Sequence, residues 1–167
     1  MSRISELVSK IKEGRLGFLM DEVMIGEHEF EPGFGEPGKK YMEYRSTWGP
    51  DNIADWINPQ SETFLIQDLT GFVTIEGLCT DTPCKGKLEL KYFDEHRIRY
   101  SFEFKVKGKN YRYVGEKVNI KPWNLPISHT TCFGTLTEKT TGKLVSKSVT
   151  YFKFSKALGF LLSLRLQ

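Results

Sequence analysis

Cysteine and histidine are scarce in this chain, with three of each among 167 residues. Cys79, Cys84 and Cys132 cannot all pair with one another. Cys79 and Cys84 bracket "TDTP", which reads as a turn across which they could meet if oxidised. Without a secretion signal, free thiols are the expectation. A CxxxxC gap and three scattered histidines do not supply the ligand spacing of a zinc site, so no metal is expected. Long apolar runs are also missing. "ALGFLLSLRLQ" is far short of the roughly 20 residues of a membrane-spanning helix and carries Arg165. The start, "MSRISELVSKIKEG", has no apolar stretch of the kind a signal peptide needs. These absences lead to the expectation of a soluble, cytoplasmic protein without a membrane span. GxSxG, P-loop, HExxH and GxGxxG patterns are absent, and "GFGEPGKK" lacks the spacing and the following helix of a phosphate loop. No cofactor is expected.

The charges that are present are unevenly spread. Residues 17–83 hold 13 acidic against 3 basic side chains, residues 84–121 hold 5 against 11, and residues 122–167 hold 1 against 6. A basic half raises the prospect of an anionic partner, with Lys105, Lys107, Lys109, Arg112 and Lys117 as the binding surface. Lysines on the solvent face of strands, where they discourage edge pairing, account for it more simply, and no nucleic acid is expected.

Length suits one domain, with a helix over residues 1–14 and a barrel over 17–166. Ser2 caps the helix, Ile4, Leu7, Val8 and Ile11 share a face, and Gly14 ends it. "GEHEFEPGFGEPGKK" reads as a long loop, "YMEYRSTW" as a strand, and "PDNIADWINP" as a short helix over 51–58 capped by Asp51. "ETFLIQDL" and "GFVTIEGL" read as two strands. Three more follow in "KLELKYF", "RIRYSFEFKV" and "NYRYVGEKV", then a hairpin from Cys132 to Phe154 and an alternating tail. In the middle strand Ile98, Tyr100, Phe102, Phe104 and Val106 point one way. Nine or ten strands with short turns and no βαβ spacing make an antiparallel meander. The predicted fold class is all-β: an up-and-down barrel, lipocalin- or calycin-like, with an N-terminal helix and one short helix near its openings.

Misplaced polar groups on inward faces then become informative. In "YMEYRSTW" the face of Glu43 and Arg45 either lines the interior, where it would orient a ligand's polar end, or forms an ion pair outside. Tyr111 and Tyr113 share a face. Gly115 interrupts their strand, as at a bulge or a close backbone approach, and a bulge that supplies curvature is the expectation. "KPWNLPISHTTCFGTL" is a rim loop, in which Trp123 folds over the mouth, running into a strand with His129, Thr131 and Phe133 on one face. His129 is the candidate general base, with Glu43 or Glu116 as partner, and Cys132 points away from it.

"LTGFVTIEGL", "KGKLEL", "IRYSFEF", "KGKNYRYVGEK" and "WNLPISHTTCFGTL" together resemble the small β-barrel domain that accompanies cholesterol-oxidase-like members of the glucose–methanol–choline oxidoreductases. The resemblance spans about residues 17–166 and implies an accessory domain linked to the oxidation of sterol-like or lipid-like alcohols. The flavin fingerprint is absent, so the oxidoreductase would be a partner, and "CTDTPC" at 79–84 replaces a glycine-rich link. The leading expectation is a barrel binding a hydrophobic small molecule, sterol- or fatty-acid-like. Tyr100, Phe102, Phe104, Tyr113, Trp123 and Thr131 would line it, with Glu43, Arg45 and His129 at the polar end. A small barrel isomerase, cyclase or lyase using His129 is the alternative, and a homodimer is among the expected assemblies.

Overall fold

A computed structural model of the chain describes residues 2–14, 16–118, 131–152 and 165–166. Eight strands follow one another: β1 (Phe18–Phe30), β2 (Lys40–Trp48), β3 (Ile66–Ile75), β4 (Cys79–Lys91), β5 (Arg97–Val106), β6 (Lys109–Lys117), β7 (Thr131–Glu138) and β8 (Leu144–Phe152). Each pairs antiparallel with the next, and β8 returns to β1 with Met24 opposite Phe152 and His28 opposite Ser148. The ring is therefore a closed eight-stranded up-and-down barrel, the architecture the alternation predicts. A two-residue β9 (Arg165–Leu166) adds to the start of β1, opposite Phe18 and Leu19.

Several boundaries differ from the sequence reading, each for a physical reason. The stretch read as a loop from Gly26 is strand as far as Phe30, because β2 and β8 both pair with it. The two strands read on either side of Gly71 are one strand, β3. A Cβ at Gly71 would run into the backbone oxygen of Arg45, so the glycine permits a tight approach of β2 without ending the strand. "TDTP" lies within β4. Residues 79–84 pair with β3 while the pairing to β5 begins only at Lys85, which makes this half of β4 an edge where Pro83 is tolerated. Cys79, Cys84 and Cys132 are free thiols.

The first helix, α1 (Arg3–Lys12), forms as expected: the Ser2 hydroxyl accepts from the Ser5 N–H at 3.2 Å, and Gly14 leaves the helix at φ 65°. Of its apolar stripe Ile4, Leu7 and Val8 are exposed and Ile11 is half-buried, and none of its residues is fully buried. The second helix, α2, is only Ile53–Trp56. Its cap is Asn52 rather than Asp51, because the Asn52 side chain accepts from the Asp55 N–H at 3.1 Å.

Inward parity fills the barrel with aromatic rings. Tyr44 lies 5.7, 5.4 and 5.5 Å, centroid to centroid, from Tyr100, Phe102 and Tyr113, and Phe102 stacks on Tyr113 at 4.7 Å. Room for the Tyr113 ring comes from glycines beside it on the same strand and the next. A Cβ at Gly115 would meet the Tyr113 hydroxyl at 2.6 Å and the Cys132 sulfur at 2.8 Å, and one at Gly134 would strike the Tyr113 ring itself. Register continues unbroken through Gly115, from Tyr100 on one side to Gly134 on the other, so this glycine makes space for a side chain and is not a bulge.

The two ends of the barrel differ. At one, tight connections join β3 to β4 and β5 to β6. Here the buried His28 donates from Nε2 to the Glu76 carbonyl oxygen at 2.9 Å, and its Nδ1 accepts from the Ser146 hydroxyl at 2.9 Å. At the other end β1 and β3 begin, β2, β4, β6 and β8 finish, and α2 lies close by. This second end is called the mouth below.

Candidate functional site at the barrel mouth

A strand's inward positions near an opening are the cheapest place in a barrel to keep a charge, and two are kept here. Glu22 on β1 and Lys117, the last residue of β6, meet at 3.0 Å with side chains only 6% and 5% exposed. The Tyr100 hydroxyl donates to the second Glu22 oxygen at 2.8 Å, so each carboxylate oxygen has one donor. The Lys117 ammonium also lies over two rings, 5.2 Å from the centroid of Tyr100 and 6.0 Å from that of Phe152. Burial, reinforced by the charge of Glu22, holds the Tyr100 phenol protonated far above the ordinary tyrosine range and pushes Tyr92 up to about 12. Both tyrosines are therefore neutral donors at physiological pH.

Around these groups stands a collar of half-buried aromatic side chains: Phe18, Trp48, Trp56, Tyr92 and Phe152. Phe18 meets the other two members nearest it edge-on, Trp56 at 5.4 Å and Trp48 at 6.2 Å. Below the collar, polar atoms lie buried without a partner among the described residues: the Gln67 Nε2, the Ser46 hydroxyl and the Thr150 hydroxyl. Ser46 is the direct β2 partner of Glu22. Gln67, Leu88 and Tyr100 form one cross-strand row, and the Gln67 Oε1 accepts from the Trp56 indole N–H at 2.7 Å. The amide is thus fixed by its oxygen, with its two N–H donors unused. Unpaired buried donors cost free energy, and such groups in a folded protein call for a reason.

Deeper in, Cys132 lies fully buried beneath the Tyr44 hydroxyl, which donates to its sulfur at 3.5 Å, and 3.9 Å from the Tyr113 hydroxyl. Burial raises this thiol, and it pushes Cys84 up to about 12, so neither is a thiolate nucleophile. Among the described residues no three His, Cys, Asp or Glu side chains gather as a cation site would require, and no helix is long and apolar enough to cross a membrane.

The structure distributes the sequence candidates widely. Tyr100, Phe102, Phe104 and Tyr113 face inward, all buried. Glu43 and Arg45 do not face the interior, since Met42, Tyr44 and Ser46 take the inward parity of β2. Arg45 instead pairs with Glu43 and Asp81 outside the barrel and lies over the exposed Phe72 ring at 5.8 Å. Thr131 and Phe133 also fall on the outer face, because Cys132, Gly134 and Leu136 take the inner one. Glu116 faces outward and binds Arg97 and Arg99. Lys117, read as part of a basic surface, is buried. Trp123 and His129 lie outside the described residues. Glu22 escaped the sequence reading because "DEVMIGEHEF" alternates too weakly to tell its two faces apart, and no local signal separates Glu22 from Asp21.

In comparison with known proteins, no family model, curated protein or solved structure matches this chain.

Proposed function

We propose that the chain binds a small amphipathic molecule at the barrel mouth, with the aromatic collar holding its apolar body and the groups around Glu22 and Lys117 reading its polar end. The observation that carries this reading is a buried ion pair set beneath a half-exposed ring of aromatic side chains, with the unpartnered Ser46 hydroxyl at the strand position beside Glu22. A buried pair does little for stability compared with apolar side chains of the same volume, so its retention calls for a role. Aromatic surface in the collar supplies affinity at about 25 cal/mol per Å² removed from water. The rings packed at the centre fill the barrel axis, so the proposed ligand is confined to the mouth end.

Sterol-like and fatty compounds are the ligand class this shape suits. Transfer of such a ligand to a partner oxidoreductase is part of the same proposal, resting on the family resemblance alone. The test is a thermal-shift screen of alkyl alcohols, fatty acids and sterols, followed by titration of tryptophan emission, because Trp48 and Trp56 stand in the collar. Saturable binding weakened by Trp56→Ala and Tyr92→Ala supports the reading. Saturable binding unaffected by both substitutions, or no binding across the panel, rejects it.

A second reading, acid–base catalysis, is favoured by one observation: the Tyr100 hydroxyl donates to a carboxylate while an ammonium lies over its ring. Such a hydroxyl can pass a proton to a bound substrate as an isomerase, cyclase or lyase would require. Under this reading Tyr100→Phe abolishes conversion of an identified ligand while its affinity holds within about threefold.

A further inference from the structure

The hydrogen-bonding inventory of the mouth goes beyond amphipathic binding to the chemistry of the head group. We infer that the site takes a neutral head presenting an acceptor oxygen, a hydroxyl or carbonyl, and discriminates against a carboxylate. This inference rests on the binding reading above.

Charge comes first. Glu22 and Lys117 already neutralise each other at 3.0 Å, and no other ionised group touches them among the described contacts. A ligand carboxylate would bring a second negative charge beside Glu22, with one ammonium to serve both. Burying an ionised group without its own counter-ion costs far more than burying a neutral polar one. An ammonium head fails by the same argument.

Donor count comes second. Both Glu22 oxygens already accept, from Lys117 and from Tyr100. The Gln67 oxygen already accepts from Trp56. Still unused are the Gln67 amide hydrogens, and the Ser46 hydroxyl has no partner either. Lys117 has further N–H groups, aimed among rings. The Gln67 amide is therefore a pure donor with nothing to give to, and the head that completes it is an acceptor carrying no charge. A hydroxyl oxygen meets this need and can return its own hydrogen to Ser46.

Three probes with one ten-carbon chain separate these terms: 1-decanol, decanoic acid and decylamine, titrated at pH 7.5 by tryptophan emission and by calorimetry. Decanol is expected to bind, with decanoate and decylammonium each weaker by about tenfold or more. Glu22→Gln removes one charge of the pair and should invert the order, so that decanoate becomes the tightest of the three. Should that variant fail to fold, Lys117→Gln makes the mirror test, with decylammonium gaining. Decanoate binding the wild type as tightly as decanol overturns the head-group inference while leaving the binding reading in place. Failure of all three probes to bind overturns both.

Discussion

Removing Lys117 isolates what its partner costs. In the folded protein the Glu22 carboxylate is 6% exposed and 3.0 Å from the ammonium. At an effective dielectric constant of about 20, that separation gives an attraction of roughly 5–6 kcal/mol. Removing both charges from water opposes this by several kcal/mol per ion, so the intact pair contributes little net stability. Lys117→Met keeps the apolar length of the side chain but abandons the carboxylate in a buried site, with Tyr100 its remaining partner. Such a loss costs about 3–5 kcal/mol. The double variant Glu22→Leu/Lys117→Met removes both charges and should recover most of that, ending within about 1–2 kcal/mol of the wild type. Urea unfolding followed by circular dichroism, on both singles and the double, measures the coupling. A Lys117→Met cost below about 1 kcal/mol would refute the reasoning, because the carboxylate would then have another way to be satisfied.

Other perturbations read separate parts of the molecule. Gly134→Ala drives a methyl into the Tyr113 ring and should cost about 1–3 kcal/mol in a thermal or urea melt, as overpacking does. Arg45→Ala should change stability by less than about 1 kcal/mol and leave ligand affinity alone, since its ion pairs lie outside the barrel. His28 is held below its ordinary value of 6.5, chiefly by burial. Its neutral form is the one folding favours, so its contribution is present above about pH 6.5 and is lost as pH falls below that value. Urea midpoints between pH 5 and 8 should fall more steeply on the acid side for the wild type than for His28→Gln. Cys84 and Cys132, buried and protonated, should resist iodoacetamide in the native state and react at once in urea.

Strands whose two faces differ sharply were legible in the sequence, and those whose faces resemble each other were not. β5 declares itself because Ile98, Tyr100, Phe102 and Phe104 alternate with charged and polar residues, and its inward set is as read. β1 does not, because its inward set of Glu22, Met24, Gly26 and His28 is no more apolar than its outward set of Val23, Ile25 and Glu27. The polar residues that define the mouth are the same ones that erase the pattern. Thr131 shares a face with His129 and Phe133 in "HTTCFGTL", and Cys132 with Leu136 shares the other, so alternation alone leaves the inward face of this strand open. Ring packing against Gly115 and Gly134 settles the matter in favour of Cys132, and no period-2 count contains that information. Helix caps were read more closely, since capping is local: Ser2 and Gly14 act as expected, and the cap of α2 is one position from Asp51.

The seam between β8 and β1 has a consequence for how the chain comes into being. His28 meets Ser146 across 118 positions of sequence, so the ring cannot shut until β8 has left the ribosome. Until then β1 has β2 on one flank and nothing on the other, and β8 is not yet made. Pairings this distant in sequence are slow to form, on a scale of milliseconds to seconds. The growing protein must carry an unfinished sheet with two raw margins while β2 to β8 are being made. Its vulnerable period is therefore birth, when a chaperone or a neighbouring nascent chain could reach the edge that the finished barrel hides.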